Sequence, residues 1–273
     1  MNPIIGIKDG ITIVRCIEGV EKSVDDKVFV EVGTGRTIII PITLWLCGAS
    51  RIITVDLNPY LKNELIQEEL NFIRCNKDAV LKMFGNSVNQ KQFNERFDTI
   101  VRGKLDINGF MKESQIEYIA PSDARKLHVC DKTIDYHISN NVFEHVPLEV
   151  MSQILSEGKR MLKDDGLMVH RIDFSDHFSH SDHRIPTINF LQYSEEQWLR
   201  YAGNRYMYHN RARIDEFEEI MENAGLKIID KKLEIDQNAV RLIKSGLKLD
   251  KRFAGKPDEI NSVLNDLVVA TKV

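Results

Sequence analysis

Short, nearly unbroken apolar runs alternate with longer stretches of helical periodicity along most of this chain. Residues 28–31, 52–55, 116–120, 133–141, 167–172, 226–233 and 267–272 predict seven strands. Between them, residues 38–47, 58–70, 148–162, 213–224, 238–248 and 257–264 predict helices, and residues 1–26 predict a short helical lead-in. The stop signals agree with this division. Lys163-Asp-Asp-Gly166 places a lysine in the last turn and a glycine past the end, and Gly225 closes the helix before the sixth strand. Strands alternating with helices argue for an α/β sheet, and two late strands flanking a polar insertion suit an antiparallel edge. Two stretches exceed what a minimal unit needs. Residues 72–115 form a polar helical excursion whose Phe84, Phe93 and Phe97 predict packing on the body, and residues 174–212 form an insertion rich in aromatic and polar groups. No repeat, low-complexity tract or Gly/Ser linker interrupts the chain, so residues 1–273 read as a single domain carrying these two insertions.

The first candidate chemistry lies at the first strand. Glu31-Val-Gly-Thr-Gly-Arg-Thr37 turns a strand into a helix, and the second strand stops at Asp56. This order places a nucleoside-bearing ligand at the carboxyl ends of adjacent parallel strands. Glycines allow the backbone to turn and approach a ligand closely, and a carboxylate at Asp56 can accept bonds from both hydroxyls of a ribose. A pyrophosphate site would want a third glycine, and no Lys-Ser/Thr closes the loop as in a P-loop. Glu31 would repel a pyrophosphate but suits a cationic ligand. A glycine turn in some other α/β protein remains the alternative reading of this loop alone.

The segment resembles motif I of the class I S-adenosylmethionine-dependent methyltransferases, (Asp/Glu)-x-Gly-x-Gly-x-Gly, with Thr37 departing at the last glycine. Ser139-Asn-Asn-Val-Phe-Glu-His-Val146 is similar to the Ser-Asn-x-Val-x-Glu-His-Val run of that family, and Asp123 falls where a residue meets the adenine amino group. The resemblance covers residues 27–175 well. It implies an α/β, Rossmann-like methyltransferase fold, a seven-stranded mostly parallel sheet with an antiparallel edge strand and helices on both faces. It implies S-adenosylmethionine as cofactor, leaving as S-adenosylhomocysteine, held by Glu31, Gly33, Thr34, Gly35, Asp56, Leu57, Asp123, Ala124 and Asn140.

Charge and cysteines narrow the setting. A formal net charge of −4 and a pI near 6.1 give no basic field for nucleic acid. Arg200, Arg205, Arg211 and Arg213 read as a solvated helix face in preference to a phosphate clamp. Cys16, Cys47, Cys75 and Cys130 show no C-x-x-C spacing, and Cys16 and Cys47 read as buried thiols. No signal peptide is evident, and the longest apolar stretch, residues 37–49, is too short to span a bilayer. These features predict a cytoplasmic protein; they leave its oligomeric state open.

The acceptor side is read from histidines and carboxylates past strands four and five, since a hydroxyl acceptor needs a base. His145 is a candidate for lining the pocket and, behind that, for the catalytic base. From His170 to His183 the chain carries four histidines and three aspartates in fourteen residues. His177 is the best base candidate, oriented by Asp173 or Asp176, because a carboxylate can fix an imidazole tautomer. A polar loop held by its own bonds is the plain alternative. A divalent metal is possible but not favoured, because no helical i, i+4 pair or known ligand triad appears, and no metal ligand is assigned. Phe190, Tyr193, Trp198, Tyr201, Tyr206 and Tyr208 follow, with Phe190 and Trp198 read as core anchors. Asp176-His-Phe-Ser-His180 and Phe190-Leu-Gln-Tyr-Ser-x-x-x-Trp198 resemble methyltransferases of bacterial polysaccharide biosynthesis clusters. That resemblance implies O-methylation of a sugar in a glycan or nucleotide-sugar, with His180, Tyr193, Arg205 and Tyr208 as acceptor contacts. An N- or C-methyltransferase on a small metabolite, a non-catalytic cofactor-binding regulator and an NAD-dependent enzyme are the alternatives; intact Gly33, Gly35, Asp56 and Asp123 argue against the regulator, and Glu31 argues against NAD.

Overall fold

The computed structural model describes residues 2–102, 106–202 and 208–273. Among these, seven strands form one sheet: β1 (Val28–Val32), β2 (Arg51–Val55), β3 (Ile116–Ile119), β4 (Ile134–Asn140), β5 (Leu162–Asp173), β6 (Leu226–Ile235) and β7 (Val263–Lys272). Their order is β3-β2-β1-β4-β5-β7-β6. β1 runs parallel to β2 and β4, and β2 parallel to β3, so the sheet is mostly parallel, with its antiparallel edge formed by the late strands. β1 and β4 are buried almost throughout, as expected of central parallel strands covered on both faces. Burying each large apolar side chain there contributes roughly 1.5–3 kcal/mol.

By packing, the chain divides into two compact units: residues 1–140, 157–169 and 272, and residues 141–156, 170–271 and 273. The first unit opens with the helix Pro3–Gly19, whose Asn2 side chain accepts a bond from Ile4 N. The lead-in is thus a full helix rather than a short one. The helical excursion contains Lys77–Phe84, Gln90–Arg102 and Ile107–Glu113, with Phe84, Phe93 and Phe97 buried and the Phe93 ring against both of the others. Cys16 and Cys47 are buried, and all four cysteines are free.

Several boundaries differ from expectation, three of them instructively. The helix predicted from residue 58 starts at Asn63, because Asp56 Oδ1 accepts a bond from Asn58 N and diverts the backbone into a local turn. β5 starts at Leu162, where a helix stop was predicted; Lys163 is drawn to Asp135 on β4 by two bonds of 2.9 Å. The last helix is one turn, Asp258–Asn261, and β7 begins at Val263.

In the second unit, Ile188, Phe190, Leu191, Trp198 and Phe253 form a core under the insertion. Arg211 and Arg213 correct the solvated-face reading, since both are buried. Arg211 donates to the carbonyls of Phe190 and Tyr193. Arg213 donates to Phe174 O at 2.7 Å, Asn261 O at 3.0 Å and Val263 O at 2.7 Å. Its burial brings its pKa down to about 10. Arg213 therefore ties the segment after β5 to the start of β7. Arg200 is exposed and paired with Glu196. No described helix is long and apolar enough to cross a membrane.

Candidate active site

The first unit builds a crevice at its strand ends. Gly33 (φ 85°) and Gly35 (φ 69°) occupy the left-handed region, which other residues adopt at a cost. Gly33 N and Thr34 N both donate to Val55 O, at 2.8 and 3.3 Å, so the turn is strapped to β2. Gly35 N donates to Asp56 Oδ2 at 2.9 Å, and open space lies where a Cβ on Gly35 would stand. Ser122 N donates to Asp56 O at 2.9 Å, which draws Asp123 and Ala124 toward the same strand end. Leu57 is 66% exposed beside it, an apolar surface suited to a flat base. Asn140 stands one residue past Ser139, which pairs with Val32. Its Nδ2 reaches Asp9 at 3.4 Å, while its buried Oδ1 has no partner. Asp123 is half-exposed and bonded to Arg125.

Glu31 is the electrostatic centre of this crevice. It is 3% exposed inside an apolar strand. Thr54 Oγ1 donates to it at 2.5 Å, so Thr34 Oγ1 is the donor in its own 2.5 Å bond to Thr54. Burial pushes the Glu31 carboxyl up to about 7, opposed by the Thr54 bond and reinforced by Asp56. A cation placed nearby would restore its charge. Thr54 escaped notice in the sequence, although a polar residue inside an apolar strand was the available signal.

The second unit gathers imidazoles. Glu144 and His145 lie on a 3-10 turn, Phe143–His145. Asn210 pins this turn, its N bonding Glu144 O and its Nδ2 bonding Phe143 O and Val146 O. His145 Nδ1 lies 2.9 Å from Tyr208 O. A carbonyl only accepts, so Nδ1 carries the proton and a neutral His145 keeps its Nε2 lone pair. These bonds bring His209 alongside. Its ring centroid is 4.3 Å from that of His177 and 5.6 Å from that of His145. His177 also lies 4.9 Å from His145 and 4.8 Å from His180. His209 sits far from the other histidines in the chain, and no local pattern announced it.

Asp173 organises the exposed side. Its Oδ1 accepts from Ser175 N at 2.8 Å and Ser175 Oγ at 2.6 Å, and its Oδ2 lies 3.5 Å from His177 Nε2 and 3.4 Å from His180 Nε2. Burial would raise its pKa, but His177 and Ser175 outweigh that and hold it at about 2. The 3.5 Å contact is electrostatic and longer than a well-formed hydrogen bond. Asp176 faces elsewhere: it caps the turn His177–His180 through Phe178 N and accepts from Asn189. Burial lowers the pKa of His145, against its Tyr208 bond, and lowers that of His209 to about 3.

The remaining candidates are dispersed. His170 is buried against Phe143, His183 is exposed, and Asp182 pairs with Arg184. Tyr193 stacks on Trp198 and so packs on the core, while Tyr208 contributes its carbonyl to His145. Arg205 and Tyr206 lie outside the described residues. Glu144, not singled out for a role in the sequence, is 2% exposed with neither carboxylate oxygen bonded by a side chain. Among the described residues, two carboxylate–imidazole triads result: Glu144, His145, His177 and Asp173, His177, His180.

Residues 18–231 match the family described as methyltransferase domain. The chain belongs to that family, and its fold and glycine crevice define a class I S-adenosylmethionine-dependent methyltransferase. No curated protein matches it. Among solved structures, it is similar to magnesium protoporphyrin IX methyltransferase from Synechocystis PCC 6803 with bound S-adenosylhomocysteine. The two share 11% identity and a TM-score of 0.52, over 98% of this chain and 84% of that one. It is also similar to geranyl diphosphate C-methyltransferase from Streptomyces coelicolor A3(2), in complex with Mg2+, geranyl diphosphate and S-adenosylhomocysteine. Here identity is 14% and the TM-score 0.51, over 95% and 78% of the two chains. At these identities the likeness concerns the fold.

Proposed function

We propose that this methyltransferase transfers its methyl group to a hydroxyl oxygen, on a sugar of a glycan or nucleotide-sugar. The observation that carries the oxygen reading is the imidazole cluster, in which His177 is seated against Asp173. An alkyl hydroxyl must lose its proton as the bond to carbon forms, and an imidazole beside a carboxylate suits that task. His177 is the base in this reading and Asp173 positions it, whereas Asp176 serves the turn. The sugar assignment rests on the likeness of residues 176–180 and 190–198 to polysaccharide-cluster methyltransferases. It draws little from the aromatic run, because Phe190 and Trp198 are core and Tyr193 stacks on Trp198.

The crevice residues fit the cofactor. Glu31 suits its positive charge, Asp56 its ribose hydroxyls, Leu57 and Asp123 its adenine, and Gly33 and Gly35 leave room for the backbone to approach. When bound, S-adenosylmethionine supplies an electrophilic methyl group on a sulfonium. Alignment then provides much of the rate, through residues that hold the acceptor in line. The protein is expected to be cytoplasmic and to act on a small-molecule or glycan acceptor.

The test is a transfer assay with labelled methyl donor against sugars, nucleotide-sugars and glycan extracts, with product analysis by mass spectrometry. Label recovered as a methyl ether supports the reading. Label found only on nitrogen or carbon of another metabolite would replace it with the N- or C-methyltransferase alternative.

A further inference from the structure

Three polar side chains in the second unit converge without satisfying one another. Glu144 is almost fully buried and no side chain hydrogen-bonds either carboxylate oxygen; only the main-chain amides of Glu144 and Asp173 stand close enough to favour its charge, and burial outweighs them. Leaving such a group bare costs about 1–3 kcal/mol or more if it is charged. His177 Nε2 is buried, and its nearest acceptor, Asp173 Oδ2 at 3.5 Å, is too distant for a well-formed hydrogen bond. His145 has its Nδ1 proton committed to Tyr208 O, which leaves its Nε2 lone pair available. One ligand atom from each of the three lies within 4.8 Å of the other two.

We propose that Glu144, His145 and His177 form a binding site for a divalent transition-metal ion. Two imidazoles and one carboxylate are a donor set suited to zinc, manganese or ferrous iron, and mixed imidazole content disfavours magnesium. Ligands of a tetrahedral ion at ordinary bond lengths stand about 3.4 Å apart, so closure from the observed spacing needs side-chain shifts on the order of 1 Å. The Tyr208 carbonyl bond is the outer contact that commonly fixes the tautomer of a ligating histidine. The neighbouring triad is the weaker candidate: His180 Nε2 and Asp173 already meet through Ser175 Oγ, and His180 is about half-exposed. Three protein ligands leave a coordination position open, where an acceptor hydroxyl would become more acidic. The inference deepens the function proposed above, in that an ion there makes His177 a ligand instead of the base and acidifies the acceptor hydroxyl, whose proton then passes to solvent water as the methyl group is transferred.

The test uses the full chain, dialysed against chelator and titrated with Co2+ while visible absorption and calorimetry are recorded, with no acceptor present. One Co2+ per chain, with visible bands of a four- or five-coordinate ion, is expected. Glu144→Gln and His145→Gln should each weaken binding by about 100-fold, and His183→Gln, at an exposed position, should leave it unchanged. Absence of saturable binding in the unsubstituted protein, or unchanged affinity in Glu144→Gln, overturns the proposal. Loss confined to His180→Gln also overturns it, by moving the ion to the other triad. Thermal shift with S-adenosylhomocysteine checks that each variant is folded. Because uptake is scored without an acceptor, a wrong acceptor class leaves this result untouched, and failed uptake leaves the acceptor assay to stand by itself.

Discussion

Two buried polar groupings of this molecule differ in how completely they satisfy themselves. In the crevice of the first unit, Glu31 is bonded by Thr54, Thr54 by Thr34, and both carboxylate oxygens of Asp56 by main-chain amides. In the second unit, the Glu144 carboxyl, His177 Nε2 and both ring nitrogens of His209 are buried without a well-formed side-chain hydrogen bond. The first arrangement is preorganised: its bonds hold the turn in shape whether or not a ligand is present. The second stores unmet bonding capacity, which is where a site can gain most from an ion or an acceptor. A buried polar network that is complete rigidifies its surroundings, and one that is incomplete marks chemistry still to be supplied.

Substitutions sharpen this contrast, and His177→Ala has the largest expected effect. Methyl transfer should fall by roughly 100-fold or more with S-adenosylhomocysteine affinity unchanged; turnover and calorimetry on the same sample check it, and intact turnover would remove His177 from the chemistry. Asp56→Ala should do the reverse, weakening S-adenosylhomocysteine binding about 10- to 100-fold through lost charge-assisted bonds, as read by calorimetry. Next is a pair of stability measurements by urea unfolding. Thr54→Val strips the hydroxyl that joins Glu31 to Thr34 and should cost about 1–3 kcal/mol. Glu144→Gln breaks no side-chain bond, and burial already favours the neutral carboxyl, so it should change stability by less than about 1 kcal/mol. If the two variants behaved alike, the distinction between satisfied and unsatisfied groupings would fail.

The smallest effect is on the pH dependence of stability. The Glu31 pKa is raised from 4.5 to about 7, so the folded state holds this proton more tightly than the unfolded chain. Its contribution is full below pH 4.5 and is lost as pH rises toward 7. His209 runs the other way. Its pKa is lowered from 6.5 to about 3, so its contribution is present above pH 6.5 and is lost as pH falls toward 3. Glu31→Gln should flatten the decline on the first limb, and His209→Asn the loss on the second. Urea midpoints measured from pH 4 to 8 would show each slope, and a decline unaltered by Glu31→Gln would mean that another acid is responsible.

Legibility followed chain locality. Strand positions, the glycine turn and its acidic neighbour were readable because residues 28–57 carry them in one continuous run, and main-chain bonds such as Gly33 N to Val55 O act over short separations. Helix and strand ends were read less well where a side chain intervened, as with Asp56 delaying the helix to Asn63 and Lys163 drawing β5 back to Leu162. Arginines 211 and 213 looked like surface charge because their acceptors are carbonyls, which any residue type can supply.

From its order of residues alone, the chain determined an alternating α/β sheet and a glycine turn for a nucleoside-bearing ligand, because periodicity and turn chemistry act between near neighbours, and the resemblance of that run to motif I implied the adenosyl sulfonium. Tertiary structure alone decided that Asp173 rather than Asp176 faces His177, that His209 joins His145, and that Glu144 is buried without a side-chain partner. The placing of His209 beside His145 depends on Asn210 and Tyr208 reaching the turn at residues 143–145 across more than sixty positions, a closure that no local pattern encodes.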